Sequence, residues 1–74
     1  MFRFEREKIL PIFLERRITV AELARLARTA HMSAWRAVNG EQVSAPIITK
    51  IADVLGIAAS DVPSFLVPAK PVVY

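Results

Sequence analysis

The chain contains no cysteine, so no disulfide staples it and no thiolate site exists. Its one histidine is His31, and a single imidazole cannot by itself build a zinc site. Only two glycines occur, Gly40 and Gly56, and no glycine-rich loop is present to cradle a phosphate. No apolar run approaches the roughly 18–20 residues needed to span a bilayer. The first eight residues carry charge throughout and lack a small-residue cleavage site, so no signal peptide is expected. Enzyme chemistry finds no support either. Glu5, Glu7, Glu15 and Glu22 are scattered on charged faces with no activated nucleophile beside them. His31 and Ser33 stand two apart in a predicted helix, so their side chains diverge. The absences therefore predict a protein without catalytic activity, metal, cofactor, membrane span or evident small-molecule ligand, located in the cytoplasm.

What is present is one small domain's worth of chain. Its 74 residues bury a low fraction of their surface, which predicts marginal stability. The apolar fraction of 54% disfavours disorder and hints at apolar surface left over for a partner chain. The net charge of +3 is unevenly placed. Residues 1–15 balance Arg3, Arg6 and Lys8 against Glu5, Glu7 and Glu15. Residues 37–74 hold Lys50 and Lys70 against Glu41, Asp53 and Asp61. Between them, Arg16, Arg17, Arg25, Arg28 and Arg36 face Glu22 alone. Arginine donates in a planar fork that suits phosphates and guanine edges. The same charges would also suit a solvated helix face.

Punctuation divides the chain into short helical pieces. Ile9, Ile12 and Phe13 have helical spacing within a segment from about Glu5 to Arg17. Pro11 either kinks that helix or lies in the first turn of one that starts late. Thr19 followed by Glu22 makes a capping box, opening a helix over Val20 to Ala27. Arg28 to Ala30 form a turn, and a third helix runs from about His31 to Asn39. Gly40 follows in the position of a left-handed cap. Ser44 is expected to cap a fourth helix, with Pro46 in its first turn and Ile48, Ile51, Ala52 and Leu55 on its buried face. Gly56 ends it. A last short turn is expected near Ala59 to Val62, limited or bent by Pro63. Met1 to Phe4 can form an extended arm, and the tail from Pro68 to Tyr74 reads as extended. Tail and arm could pair as a small ribbon over the core. The division expected is a helical domain over residues 1–66 and a tail over residues 67–74.

Two short helices joined by a three-residue turn, inside a bundle of five, is the layout of DNA-binding helix-turn-helix domains. The stretch Thr19-Val20-Ala21-Glu22-Leu23-Ala24-Arg25-Leu26-Ala27 resembles the first motif helix of the lambda-repressor-like (Xre-type) family. That pattern is a threonine or serine cap, a glutamate, then Leu-Ala and a second alanine. Leu23 to Gly40 spans eighteen residues inclusively, the family's spacing without a gap. Val43-Ser44 and the run from Lys50 to Ile57 are similar to its fourth helix and exit. The resemblance covers about residues 5 to 66. It implies an all-α bundle of about five short helices around a central helix-turn-helix. It also implies sequence-specific binding of double-stranded DNA by a transcriptional regulator, expected to be a homodimeric repressor reading two half-sites about one helical turn apart.

The chain departs from the family at three places. Arg28 stands where the turn usually has glycine, so a left-handed conformation is expected there at some cost. Val20 replaces a phosphate-contacting glutamine. Ala34 and Ala37 replace larger core residues, leaving space for Trp35 or Val38 to fill.

With Ala34 and Ala37 inward, His31, Met32, Trp35, Arg36 and Asn39 point outward, and by resemblance these are the DNA-facing positions. Arg36 is the first choice for a base or phosphate contact. His31 either meets DNA or is a surface residue beside the turn. Met32 either meets a thymine methyl or packs. Trp35 is expected to be at least partly buried, against the alternative that it covers a sugar-phosphate stretch or a partner. Asn39 meets the backbone or caps the helix. The amides near Val20 and Ala21 after Thr19 form a ready phosphate site, with Arg16, Arg17, Arg25 and Arg28 as electrostatic support. A second reading keeps the fold as an antitoxin-like or phage accessory interaction module with little or no DNA binding. Its motives are Met32, Trp35, the missing glutamine and the apolar stretch Phe65 to Val67 with Val72 to Tyr74.

Overall fold

A computed structural model describes residues 2–67. The order is α1 (Arg6–Glu15), α2 (Val20–Ala27), α3 (His31–Val38), α4 (Ala45–Val54) and α5 (Val62–Phe65). The molecule is thus an all-α bundle of five short helices, as its punctuation predicts. Among the described residues no strand forms, and no helix is long and apolar enough to cross a membrane.

Local chemistry explains most boundaries. Thr19 caps α2 with its hydroxyl accepting from the Glu22 amide at 3.1 Å, while the Glu22 carboxylate accepts from the Thr19 amide at 3.3 Å. The capping box therefore forms in full. Pro11 lies inside α1, which starts early, so of the two alternatives the interrupted helix is the one adopted. The break is tolerated because Pro11 and Glu7, whose carbonyl loses its donor, are both exposed. Two expectations need correction. Ser44 occupies the N-cap position of α4 but makes no side-chain cap bond; Pro46 in the first turn already supplies a preset φ and removes one amide that would want a partner. The last turn does not stop at Pro63. Residues 59–61 are turn, and Pro63 instead lies in the first turn of α5, where its missing amide is harmless.

Each of the first four helices is followed by a residue of left-handed φ: Arg17 (54°), Arg28 (55°), Gly40 (76°) and Gly56 (76°). After α2, α3 and α4 the closure is the same. The amides of Thr29, Glu41 and Ile57 donate back to the carbonyls of Ala24, Arg36 and Ala52, each at 2.9 Å. These are Schellman closures, which satisfy carbonyls the helix leaves open. Glycine adopts this conformation freely, whereas an arginine there costs on the order of 1 kcal/mol. Arg28 is left-handed as its place in the turn predicts, and Arg17 shares the conformation.

The core joins Phe4, Ile9, Phe13, Leu23, Val38, Val43, Ile48, Ile51 and Leu55 with the buried alanines 24, 27, 34, 37 and 52. All four apolar positions assigned to the inner face of α4 are buried. α2 packs against both α3 and α4, and α1 against α3. Of the two residues considered for the space beside Ala34 and Ala37, Val38 is in the core at 2% exposure. Trp35 does not join the core.

An extended arm closes the bundle. Phe2 bridges antiparallel to Val43 in the α3–α4 loop, and Phe4 to Leu66 after α5. The Phe2 amide donates to the Val43 carbonyl at 2.9 Å and the Val67 amide to the Arg3 carbonyl at 2.9 Å. These pairings bury Phe4 completely. The expected pairing of arm and tail thus begins at Leu66 and Val67, while the extended tail assigned to Pro68 to Tyr74 lies outside the described residues. Val62, Phe65 and Leu66 pack against the core and stay partly exposed.

Phe4→Ala removes a fully buried aromatic ring that holds arm, loop and α5 together. It should cost about 3–5 kcal/mol, a large share of the stability open to so small a domain. Urea denaturation followed by circular dichroism checks this, and a midpoint close to the parent's would contradict it.

Candidate nucleic-acid interface

The outer surface of α2 and α3 follows from which residues their shared interface uses. Leu23, Ala24 and Ala27 of α2 and Ala34, Ala37 and Val38 of α3 are buried. Helical geometry then turns His31, Met32, Trp35 and Arg36 outward on α3, and all four are exposed. Met32 is 53% exposed and Trp35 40%. Trp35 is therefore exposed, against the expectation of partial burial, because the phase of α3 that buries Ala34 and Ala37 turns position 35 outward.

The start of α3 adds a feature that the composition of its face does not reveal. Ala30 stands at the N-cap and offers no side-chain acceptor. The first chain-internal bond of this turn is from Ala34 to the Ala30 carbonyl. The amides of His31, Met32 and Ser33 have no acceptor among the described residues. An alanine at a cap position is the signal that could have located them, since it satisfies none of a helix's free donors. The amides of Val20 and Ala21 at the start of α2 are likewise without acceptors among the described residues, while Thr19 is committed to Glu22. The Val20 side chain is half-buried against the core, so what this position can offer a phosphate is its amide.

The arginines separate into two groups. Arg16 is exposed but tied to the bundle, its Nη2 donating to the Leu55 carbonyl at 2.7 Å. There it satisfies the end of α4, where a cation also suits the helix dipole. Arg17, Arg25, Arg28 and Arg36 are exposed, and none of them is ion-paired among the described residues. Asn39 is the C-cap of α3, with Nδ2 donating to the Trp35 carbonyl at 2.8 Å. It takes the capping alternative named for it.

Tertiary structure also brings in cations from outside the arginine-rich segment. Lys50 of α4 lines a groove with Leu26, Arg28, Asp53 and Val54. Arg3 and Arg6 line another with Gly40 at the exit of α3, where Glu5 and Glu7 balance their charge. Local spacing carries no signal of either, because both depend on packing between distant segments. No cluster of three or more side chains suited to a metal ion occurs among the described residues.

Free amides at two helix starts, unpaired guanidinium groups and a protruding helix can together receive anionic oxygens and present donors to a grooved polyanion. No family model, curated protein or solved structure matches the chain.

Because the Arg16 guanidinium closes the end of α4, Arg16→Ala should lower the unfolding free energy by about 1 kcal/mol. Chemical denaturation measures this; an unchanged midpoint would show that the bond contributes nothing.

Proposed function

We propose that the chain binds double-stranded DNA sequence-specifically as a transcriptional regulator, in the manner of the lambda-repressor-like domains it resembles. The observation that carries the reading is the pairing of α2 and α3 across a three-residue turn, with the unpaired Arg36 on the outer face of α3. In this reading α3 lies in the major groove, where base edges show a distinguishable pattern of donors and acceptors. Arg36 contacts a base, and His31, Met32 and Trp35 are its neighbours at the base edges and sugars. The amides of Val20 and Ala21 receive phosphate, supported by Arg25. The regulator is a cytoplasmic repressor that works as a homodimer, since reading two half-sites one helical turn apart multiplies the specificity of one short helix.

A second reading has its own observation. Met32 and Trp35 are large apolar side chains that remain exposed on the same face, which would suit an antitoxin-like or accessory module contacting a protein. Selection from a random duplex library separates the two: enrichment of a motif with two related half-sites supports the regulator. A protein with no salt-sensitive affinity for any duplex would leave only the interaction module.

On the DNA reading, Arg36→Ala weakens the selected site by about 1–3 kcal/mol and relaxes preference at one base pair. Arg25→Ala instead weakens all sequences alike and flattens the dependence of log K on log salt. Anisotropy titrations with specific and scrambled duplexes check both.

A further inference from the structure

The four left-handed residues that end α1 to α4 are not equivalent. At Gly40 the surroundings are tight, since a Cβ there would lie 3.0 Å from Arg6 Cβ and 3.2 Å from the Phe4 carbonyl oxygen, while at Gly56 a Cβ would displace the movable end of the Arg16 side chain. Arg17 and Arg28 occupy the other two, where the side chains are exposed and no such crowding applies. Exposed left-handed stops are ordinarily glycine or asparagine, which adopt the conformation at least cost. This chain places arginine at both. The closing backbone bonds, such as Thr29 to Ala24, would form with glycine as well, and neither arginine side chain makes an ion pair or a hydrogen bond among the described residues or belongs to the core.

The two positions also share a location. Arg17 precedes the cap of α2 by two residues, and Arg28 follows its last residue. They bracket an eight-residue helix, about 12 Å long, which is close to the roughly 12 Å width of a major groove. Arg28 further shares its groove with Lys50, with Asp53 as the one carboxylate there. A residue kept where glycine would be less strained, with no side-chain contact inside the fold to favour it, points to a function exercised on a ligand.

We propose that Arg17 and Arg28 are phosphate-contacting residues at the two ends of α2, held in strained conformations so that stability is exchanged for affinity to the DNA backbone. The proposal rests on the DNA reading above and assigns these two arginines a role that their exposure alone does not require. A merely tolerated arginine would leave binding untouched when replaced.

Arg17→Gly and Arg28→Gly relieve the strain and remove the charge, whereas Arg17→Lys and Arg28→Lys keep the strained Cβ and a positive charge. Each is made in the full chain, melted, and titrated against a labelled mixed-sequence duplex between about 50 and 200 mM salt. Each glycine variant should melt a few degrees higher than the parent. It should bind ~3–10-fold more weakly at low salt, with a salt slope shallower by about 0.9 for the phosphate lost. The lysine variants should keep the parent's melting temperature and most of its slope. Glycine variants that melt higher yet bind with parental affinity and slope would overturn the proposal. So would glycine variants that melt no higher, since no cost would then have been stored. A parent that binds no duplex at all would instead remove the DNA reading itself, a result visible before any variant is compared.

Discussion

The architecture depends on the small volume of the side chains between α2 and α3. Ala24 and Ala27 on one helix and Ala34 and Ala37 on the other are buried, and alanine lets helix backbones approach more closely than leucine or isoleucine would. In a chain of this size that approach matters twice. It lets backbone and methyl groups fill the interior, where close packing is the rule for folded proteins. It also sets the rotation of α3, because the phases taken by Ala34, Ala37 and Val38 leave His31, Met32, Trp35 and Arg36 the outward ones. A larger side chain at either alanine of α3 would push the helix out and force neighbouring side chains off their rotamers. The display of the outer face is thus a consequence of the inner one.

A core built partly from alanines offers modest apolar burial, and the rest of the bundle makes up for it at its edges. The Phe2–Phe4 arm ties the α3–α4 loop to the end of α5 through two antiparallel bridges, carrying Phe4 into the centre. Arg16 reaches the Leu55 carbonyl and joins the end of α1 to the end of α4. Such contacts link segments far apart in sequence, so the ends of a short chain share in its cooperativity. They also engage the Arg16 guanidinium and the Asn39 amide within the fold, and α5 rests partly on the core through Val62 and Phe65.

The remaining surface combines two chemistries on α2 and α3. Exposed, unpaired arginines and uncapped amides favour anions, and Met32 and Trp35 favour apolar contact. On DNA both can be used together, since bases and sugars present apolar faces beside charged phosphates. Affinity in such an interface comes chiefly from the phosphate contacts and is sensitive to salt, while selectivity comes from the few groups at the base edges. This division of labour fits a chain with several free arginines around the motif and only one, Arg36, on the outer face of α3.

Much of this was legible in the sequence. Thr19 with Glu22, the Leu23–Ala24–Ala27 spacing, Ala34 with Ala37, and Gly40 and Gly56 located α2, α3, the end of α4 and the buried face of each. Caps and helical periodicity act within four residues, so they can be read without knowing the fold. Pro63 and Ser44 misled because each is compatible with more than one local role. Only the tertiary structure separated Arg16 from Arg17, set Phe4 in the core, brought Lys50 beside Arg28, and buried Val38 while leaving Trp35 exposed. Those outcomes are decided by contacts across tens of residues. What the sequence by itself determined is where helices begin, end and turn their apolar sides; which polar groups remain for a ligand was decided by packing, because a side chain is free only when no distant segment claims it.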